Sequence, residues 1–208
     1  MVSPLSRIIG LLQVDSTVGD LAGNARRIES LAKTAINHGA KLAIATELAI
    51  CGYPPRDLLL QPDFITTSFE SAKALNVEIP VLVGTPVPSE NERNLPANGV
   101  VRSGSLNASP NGDNTNRVVA KKQLLPSYDV FDETRYFSPA NRSGICRSIG
   151  ELDLGVTICE DAWQAAGLTP SAYGQDPIDS LAEWGRQGVS LDATVNLSAS
   201  PYHADKVS

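Results

Sequence analysis

The hydrophobic positions of this chain change period several times, and each change marks an element. Arg7 to Val14 contains the run Ile8-Ile-Gly-Leu-Leu12 and reads as a first strand. After a turn over Asp15 to Gly19, Leu21, Ala25, Ile28, Leu31, Ala32, Ala35 and Ile36 recur at helical spacing. Arg26, Arg27, Glu29 and Lys33 lie mostly off that stripe. Asp20 stands where an N-cap is needed and Gly39 where a helix stops. The apolar run Leu42 to Thr46 follows as a second strand, which completes a βαβ unit.

The pattern then becomes mixed. Two adjacent prolines make Cys51 to Arg56 an irregular crossing, and Asp57 to Asn76 reads as helix broken near Pro62. Val81 to Gly84 is a third strand. The stretches Pro86–Pro96 and Gly104–Asn116 are rich in Gly, Asn and Pro and flank Asn98 to Arg102, which predicts an antiparallel meander with exposed tips. Arg147 to Ile149 and Leu154 to Ile158 resemble a hairpin. Asp176 to Gln187 is a short amphipathic helix with Asp176 as N-cap and Pro177 in its first turn, and Ala193 to Leu197 is a last strand. The sum predicts an α/β protein whose mixed sheet carries helices on one face and packs its other face on a second sheet.

Three strands end on side chains that can do chemistry. Leu42 to Thr46 runs into Glu47, Arg117 to Ala120 runs into Lys121 and Lys122, and Leu154 to Ile158 runs into Cys159, Glu160 and Asp161. Strand ends are where α/β sheets present reactive groups. A carboxylate, a cation and a thiol brought together form a plausible set for nucleophilic catalysis. Adjacent lysines at a strand end point opposite ways, so the pattern alone does not choose between Lys121 and Lys122. Glu160 is expected to line the site, whereas Glu160 and Asp161 also fit charges where a strand meets solvent. Cys51 and Cys146 read as structural thiols, and His38 as a cation suited to a helix end.

Composition narrows the function classes. The chain has 208 residues, 42% apolar and 19% charged, with a net charge of −6. An acidic chain with a pI near 4.9 argues against nucleic acid or an anionic membrane as the main partner. There is no apolar run of membrane-spanning length and no secretory signal pattern at the N-terminus. Three cysteines are too few and odd for a disulfide scaffold, which favours a cytoplasmic location. No clustered His, Cys and carboxylate set suggests a metal, and a Cys159–His203 pair has no supporting motif. Neither a Walker sequence nor a G-x-G-x-x-G is present.

Four segments carry a resemblance: ELAICGYPPRDLLLQPDFI (Glu47 to Ile65), KKQLLPSYDVFDETRYF (Lys121 to Phe137), GVTICEDAW (Gly155 to Trp163) and NLSASPYH (Asn196 to His203). In this order they resemble the nitrilase, or carbon–nitrogen hydrolase, superfamily, and within it the glutaminase domain of glutamine-dependent NAD+ synthetases. The resemblance implies a nitrilase-like α-β-β-α sandwich, with residues 1–208 forming a hydrolase domain that lacks its C-terminal part. It implies Glu47 as general base, Lys122 as the lysine set by its spacing to Pro126, and Cys159 as nucleophile. Tyr128, Ser200 and Lys206 would contact substrate, and Glu133 would support the lysine, with Glu160 nearby. The family usually carries glycine where Asp205 stands, a departure next to Lys206.

The function so implied is release of ammonia from L-glutamine through a cysteine thioester, for amidation of deamido-NAD+ by a separate ATP-using synthetase domain, in cis or in trans. No cofactor is expected in this chain; ATP and Mg would belong to the synthetase domain. A homo-oligomer is expected by analogy. Two alternatives stand beside this reading: a stand-alone amidase acting on a small ω-amide or carbamoyl compound, and a non-catalytic assembly module.

Overall fold

Side-chain alternation along two sheets decides which faces meet. In the computed structural model, which describes residues 7–89, 95–104, 117–149, 151–164, 167, 169 and 173–200, the first sheet has the order β1 (Ile9–Leu11), β2 (Leu42–Ile44), β3 (Pro80–Val87), β4 (Ala97–Gly104) and β5 (Val118–Lys121). Its first three strands run parallel and the last two antiparallel. The second sheet joins β6 (Gly144–Ile149) antiparallel to β7 (Leu152–Ile158), and β7 parallel to β8 (Ala193–Leu197).

Ala43, Val81, Val83 and Val101 point to one side of the first sheet. There they pack on Ile28 and Ala32 of α1 (Leu21–Asn37) and Ala72 of α2 (Pro62–Lys73). Their neighbours Leu42, Ile44, Leu82 and Val100 point to the other side and meet Leu154, Val156, Ile158 and Leu197 of the second sheet. Each fully buried leucine or isoleucine in this second interface contributes about 1.5–3 kcal/mol. On the outer face of the second sheet, α3 (Pro177–Arg186) lays Leu181 over Gly155, within contact range of where a Cβ would stand. The layers are therefore helix, sheet, sheet, helix, the nitrilase-like α-β-β-α arrangement.

Local signals explain most element ends. The Asp20 carboxylate accepts from the Gly23 N–H, and Asp176 accepts from the Ile178 N–H. Gly39 takes a φ of 85° just beyond α1. The segment from Asp57 to Asn76 splits as the proline foretells, into a 3-10 turn (Arg56–Leu60) and α2 beginning at Pro62. Two strands are shorter than the apolar runs suggested. β1 covers three residues, has only β2 as a neighbour and leaves Leu11 on the outside. β2 stops at Ile44, so Ala45 and Thr46 belong to the loop that delivers Glu47. Among the described residues no helix is long and apolar enough to cross a membrane.

Candidate active site

The loop after β2 turns sharply inward. Leu48 has a φ of 48°, a left-handed conformation that costs a non-glycine residue about 1–2 kcal/mol. The turn crosses β3 at Gly84, where a Cβ would overlap the backbone of Thr46 to Leu48. On the second sheet Cys159 follows β7 directly, with a φ of 47°, and opens the 3-10 turn Cys159–Ala162. A strained corner of this kind projects a side chain from the end of a sheet. Asn196 of β8 supports it by donating from Nδ2 to the Cys159 carbonyl at 3.2 Å. Lys122 follows β5, and its side chain is turned inward while Lys121 stays half-exposed. Relative exposures of 2% for Glu47, 0% for Lys122 and 3% for Cys159 place all three inside the protein.

The ammonium of Lys122 is held between two carboxylates. Nζ donates to Glu47 Oε1 at 2.8 Å and to Glu133 Oε1 at 2.9 Å. Glu133 Oε2 lies 2.8 Å from the same nitrogen as a charge contact, without directed hydrogen-bond geometry, so it accepts no hydrogen bond. Glu47 is fixed at both oxygens: Oε1 also accepts from Asn98 Nδ2 at 2.8 Å, and Oε2 accepts from the Ala199 N–H at 3.0 Å. Tyr53 donates its hydroxyl to Glu133 Oε1 at 3.0 Å.

These contacts set the protonation states. Burial works against the charge on Lys122, but Glu47 and Glu133 outweigh it and hold the ammonium well above its usual range. Burial pushes the Glu133 carboxyl up, and Lys122 only partly offsets the push. For Cys159, burial and then the charge of Glu47 push the thiol up to about 12, against the pull of Lys122. Burial and Glu47 thus favour the protonated thiol of Cys159 over a thiolate, with a carboxylate in hydrogen-bonding reach. Such a thiol becomes nucleophilic only as its proton is taken.

A second carboxylate lies on the other side of Cys159. Glu160 is 1% exposed and accepts from the Tyr128 hydroxyl at both oxygens, at 3.0 and 2.8 Å, and from Tyr173 at 3.3 Å. None of the ion pairs among the described residues reaches it. Both tyrosine hydroxyls are raised, by burial first and then by their bonds to Glu160 and its charge, so each stays a donor. Nearby, Tyr53, Arg56, Val130 and Ser200 line a cavity of about 440 Å³, and a second cavity of about 270 Å³ lies between Tyr53 and Glu133. A buried thiol, a base, an ammonium and an open cavity together can attack and cleave an acyl derivative.

Residues 8–191 match the carbon–nitrogen hydrolase family across most of the chain. The chain belongs to that family. Relatives include the glutamine-dependent NAD(+) synthetases of Synechocystis sp., 38% identical over 95% of this chain, and of Thermotoga maritima, 36% identical over 95%. This chain spans about a third of their length, 35% and 31% respectively. Its fold matches the glutamine-dependent NAD+ synthetase of Acinetobacter baumannii with a TM-score of 0.70, at 26% identity over 95% of this chain and 33% of that one. It also matches a nitrilase-superfamily amidase from Nesterenkonia AN1, with a TM-score of 0.68 at 18% identity, over the whole of this chain and 71% of the amidase.

The structure brings Glu47, Lys122, Glu133 and Cys159 into one cluster, with Glu160 and Tyr128 beside it and Ser200 at the cavity edge. Lys206 and His203 lie outside the described residues. Glu160 and Asp161 are not solvent-facing charges, since both are buried. Sequence reasoning missed Asn98, Tyr53 and Tyr173. Asn98 had left a signal, as a lone amide in a strand otherwise apolar around it, and it is now seen to be 1% exposed and bonded to Glu47. Nothing local to Tyr173 tied it to the turn after Cys159.

Proposed function

We propose that this chain is the glutamine-hydrolysing part of a glutamine-dependent NAD+ synthetase. The observation that carries the reading is the asymmetry of charge around Cys159. Lys122 compensates Glu47 and Glu133, while among the described residues Glu160, next to Cys159, is held by tyrosine hydroxyls and by no cation. A buried carboxylate held only by neutral donors favours a substrate that brings a cation. A glutamine seated with its carboxamide at Cys159 brings its α-ammonium toward that carboxylate. A neutral amide has nothing to offer there. The names of the relatives support the same substrate.

The steps follow from the geometry. Cys159 Sγ attacks the carboxamide carbon as its proton passes to Glu47, and the carbonyl oxygen takes the electron pair. Lys122 Nζ and the backbone N–H after Cys159 meet that oxygen; one such donor is typically worth about 3 kcal/mol of barrier. The intermediate collapses, the C–N bond breaks, and Glu47 returns the proton to the leaving nitrogen. Ammonia departs and a glutamyl thioester remains on Cys159. Glu47 then takes a proton from water as it adds to the thioester, and the protonated thiol and glutamate are released. Tyr128, Ser200 and Lys206 are the proposed substrate contacts. The ammonia would go to an ATP- and Mg-using synthetase domain that amidates deamido-NAD+.

The test is to express the 208 residues and measure ammonia release from glutamine and from neutral amides of similar length. Preference for glutamine, lost in Cys159→Ala, is the expected result. Turnover of neutral amides with no preference for glutamine would favour the stand-alone amidase, and no labelling of Cys159 by an electrophilic glutamine analogue would favour a non-catalytic module.

A further inference from the structure

Asp161 has no part in the chemistry above, yet it is 2% exposed and bonded at both oxygens. Oδ1 accepts from the backbone N–H groups of Gln123 at 3.0 Å and Leu124 at 2.9 Å, the two residues that follow Lys122. Oδ2 accepts from the N–H of Ile158 at 3.1 Å, the residue before Cys159. A single carboxylate thus ties the end of a strand in the first sheet to the end of a strand in the second. The geometry points to Asp161 as a positioning residue that sets the register between Lys122, with the Glu47 it binds, and the sulfur of Cys159.

Other bonds hold each segment separately: Lys122 is tied to Asn98 and Ala140 through its backbone, and Cys159 to Asn196, but none of these joins the two segments to each other. The packing between the sheets fixes their separation, but its apolar contacts are not directional and do not aim the side chains at the strand ends. The three bonds to Asp161 are directional and are made at the residues flanking the two reactive side chains. They also restrain the left-handed corner at Cys159, whose φ of 47° would otherwise relax. Burial pushes the Asp161 carboxyl up to about 6, against the pull of its three N–H donors. The fold therefore keeps a charge at this point at some cost, which fits a role in alignment better than one in stability alone.

The inference rests on the amide-hydrolysis reading for its meaning, but its test does not need glutamine. Because the Cys159 thiol is held protonated, its alkylation by iodoacetamide depends on Glu47 taking the proton. The rate of alkylation at Cys159, read by peptide mapping, is compared in wild type, Glu47→Gln, Asp161→Asn and the double variant. A misplacement of about 1 Å can cost on the order of a hundredfold, so Asp161→Asn is expected to slow alkylation by about ten- to a hundredfold. The double variant is expected to react within about twofold of Glu47→Gln alone, since both changes break one alignment. A wild-type rate in Asp161→Asn, or losses that multiply in the double variant, would overturn the inference. So would equal rates in wild type and Glu47→Gln.

If Asp161→Asn fails to fold, hydrogen exchange on the wild-type chain decides. The amides of Gln123, Leu124 and Ile158 should be protected together and to a similar degree, and exchange as fast as free turn amides would overturn the role. A chain that is alkylated as expected but releases no ammonia from glutamine would sink the substrate reading and leave Asp161 in place.

Discussion

The protein buries carboxylates on both sides of Cys159 and treats them oppositely. On the side of the first sheet, Glu47 and Glu133 share the Lys122 ammonium, and Glu47 takes two further donors from Asn98 and Ala199. On the side of the turn after β7, Glu160 meets, among the described residues, the hydroxyls of Tyr128 and Tyr173 and no cation. The first region is compensated and fixed before any substrate arrives. The second holds its buried carboxylate on neutral hydroxyl donors. A buried ion pair broken by removing one partner is strongly destabilising, whereas a carboxylate solvated by neutral hydroxyls can accept a cation without losing its support. On the proposed function, reaction and recognition would be divided between these two neighbourhoods.

The comparison can be broken most strongly on the compensated side. Glu47→Gln keeps the shape but removes the base and one of its two acceptor oxygens, so kcat for glutamine should fall by about 10²- to 10⁴-fold with a smaller change in KM. Lys122→Met leaves Glu47 and Glu133 facing each other uncompensated in the interior. Urea unfolding should show a loss of about 3–5 kcal/mol, together with loss of turnover. A Lys122→Met chain as stable as wild type would mean that the ion cluster does not organise this side.

The other side should respond in affinity alone. Glu160→Gln removes the charge while keeping one oxygen that can accept from both tyrosines. A charged hydrogen bond is worth about 1.5–3 kcal/mol, so KM for glutamine should rise about 10- to 100-fold. Slow turnover of a neutral amide should be unchanged. A parallel fall for both substrates would erase the proposed division of labour. Gly84→Ala pushes a methyl group into the backbone of Thr46 to Leu48. It should cost about 1–3 kcal/mol in unfolding free energy and disturb the Glu47 side only.

The smallest effect is a silence. Burial is the first cause raising each thiol: Cys159 and Cys51 to about 12 and Cys146 to about 11. A raised thiol pKa adds stability that is present below the unfolded value and lost as pH rises through the folded one. Thiolate ultraviolet absorbance in the folded chain should therefore show no step below about pH 10, although an unfolded thiol would titrate near 8.5. A step near neutrality that vanishes in Cys159→Ala would replace the protonated nucleophile with a preformed thiolate.

Strand and helix identity was legible because the periods are clear: Leu42 against Ala43 and Leu82 against Val81 alternate as a two-faced sheet requires. Glu47 and Cys159 were legible as candidates because each ends an apolar run. The lysine pair was not legible from the strand pattern; the family's spacing to Pro126 selected Lys122, which is the one the structure buries. Asp161 was misread for a physical reason. A charge following a strand is most often solvated, and nothing in the local pattern reveals that backbone donors from Gln123 and Leu124 arrive to receive it. Gly84 was equally silent, because its role depends on a loop that crosses it from far along the chain.

The most direct measurement of the central claim is the mass of the intact chain after rapid acid quench during incubation with glutamine. The account predicts a glutamyl adduct on the Cys159 peptide, labile to hydroxylamine and absent from Cys159→Ala, formed together with free ammonia. Ammonia released by the wild-type chain at an undiminished rate from Cys159→Ala, or an adduct found only at Cys51 or Cys146, would contradict it.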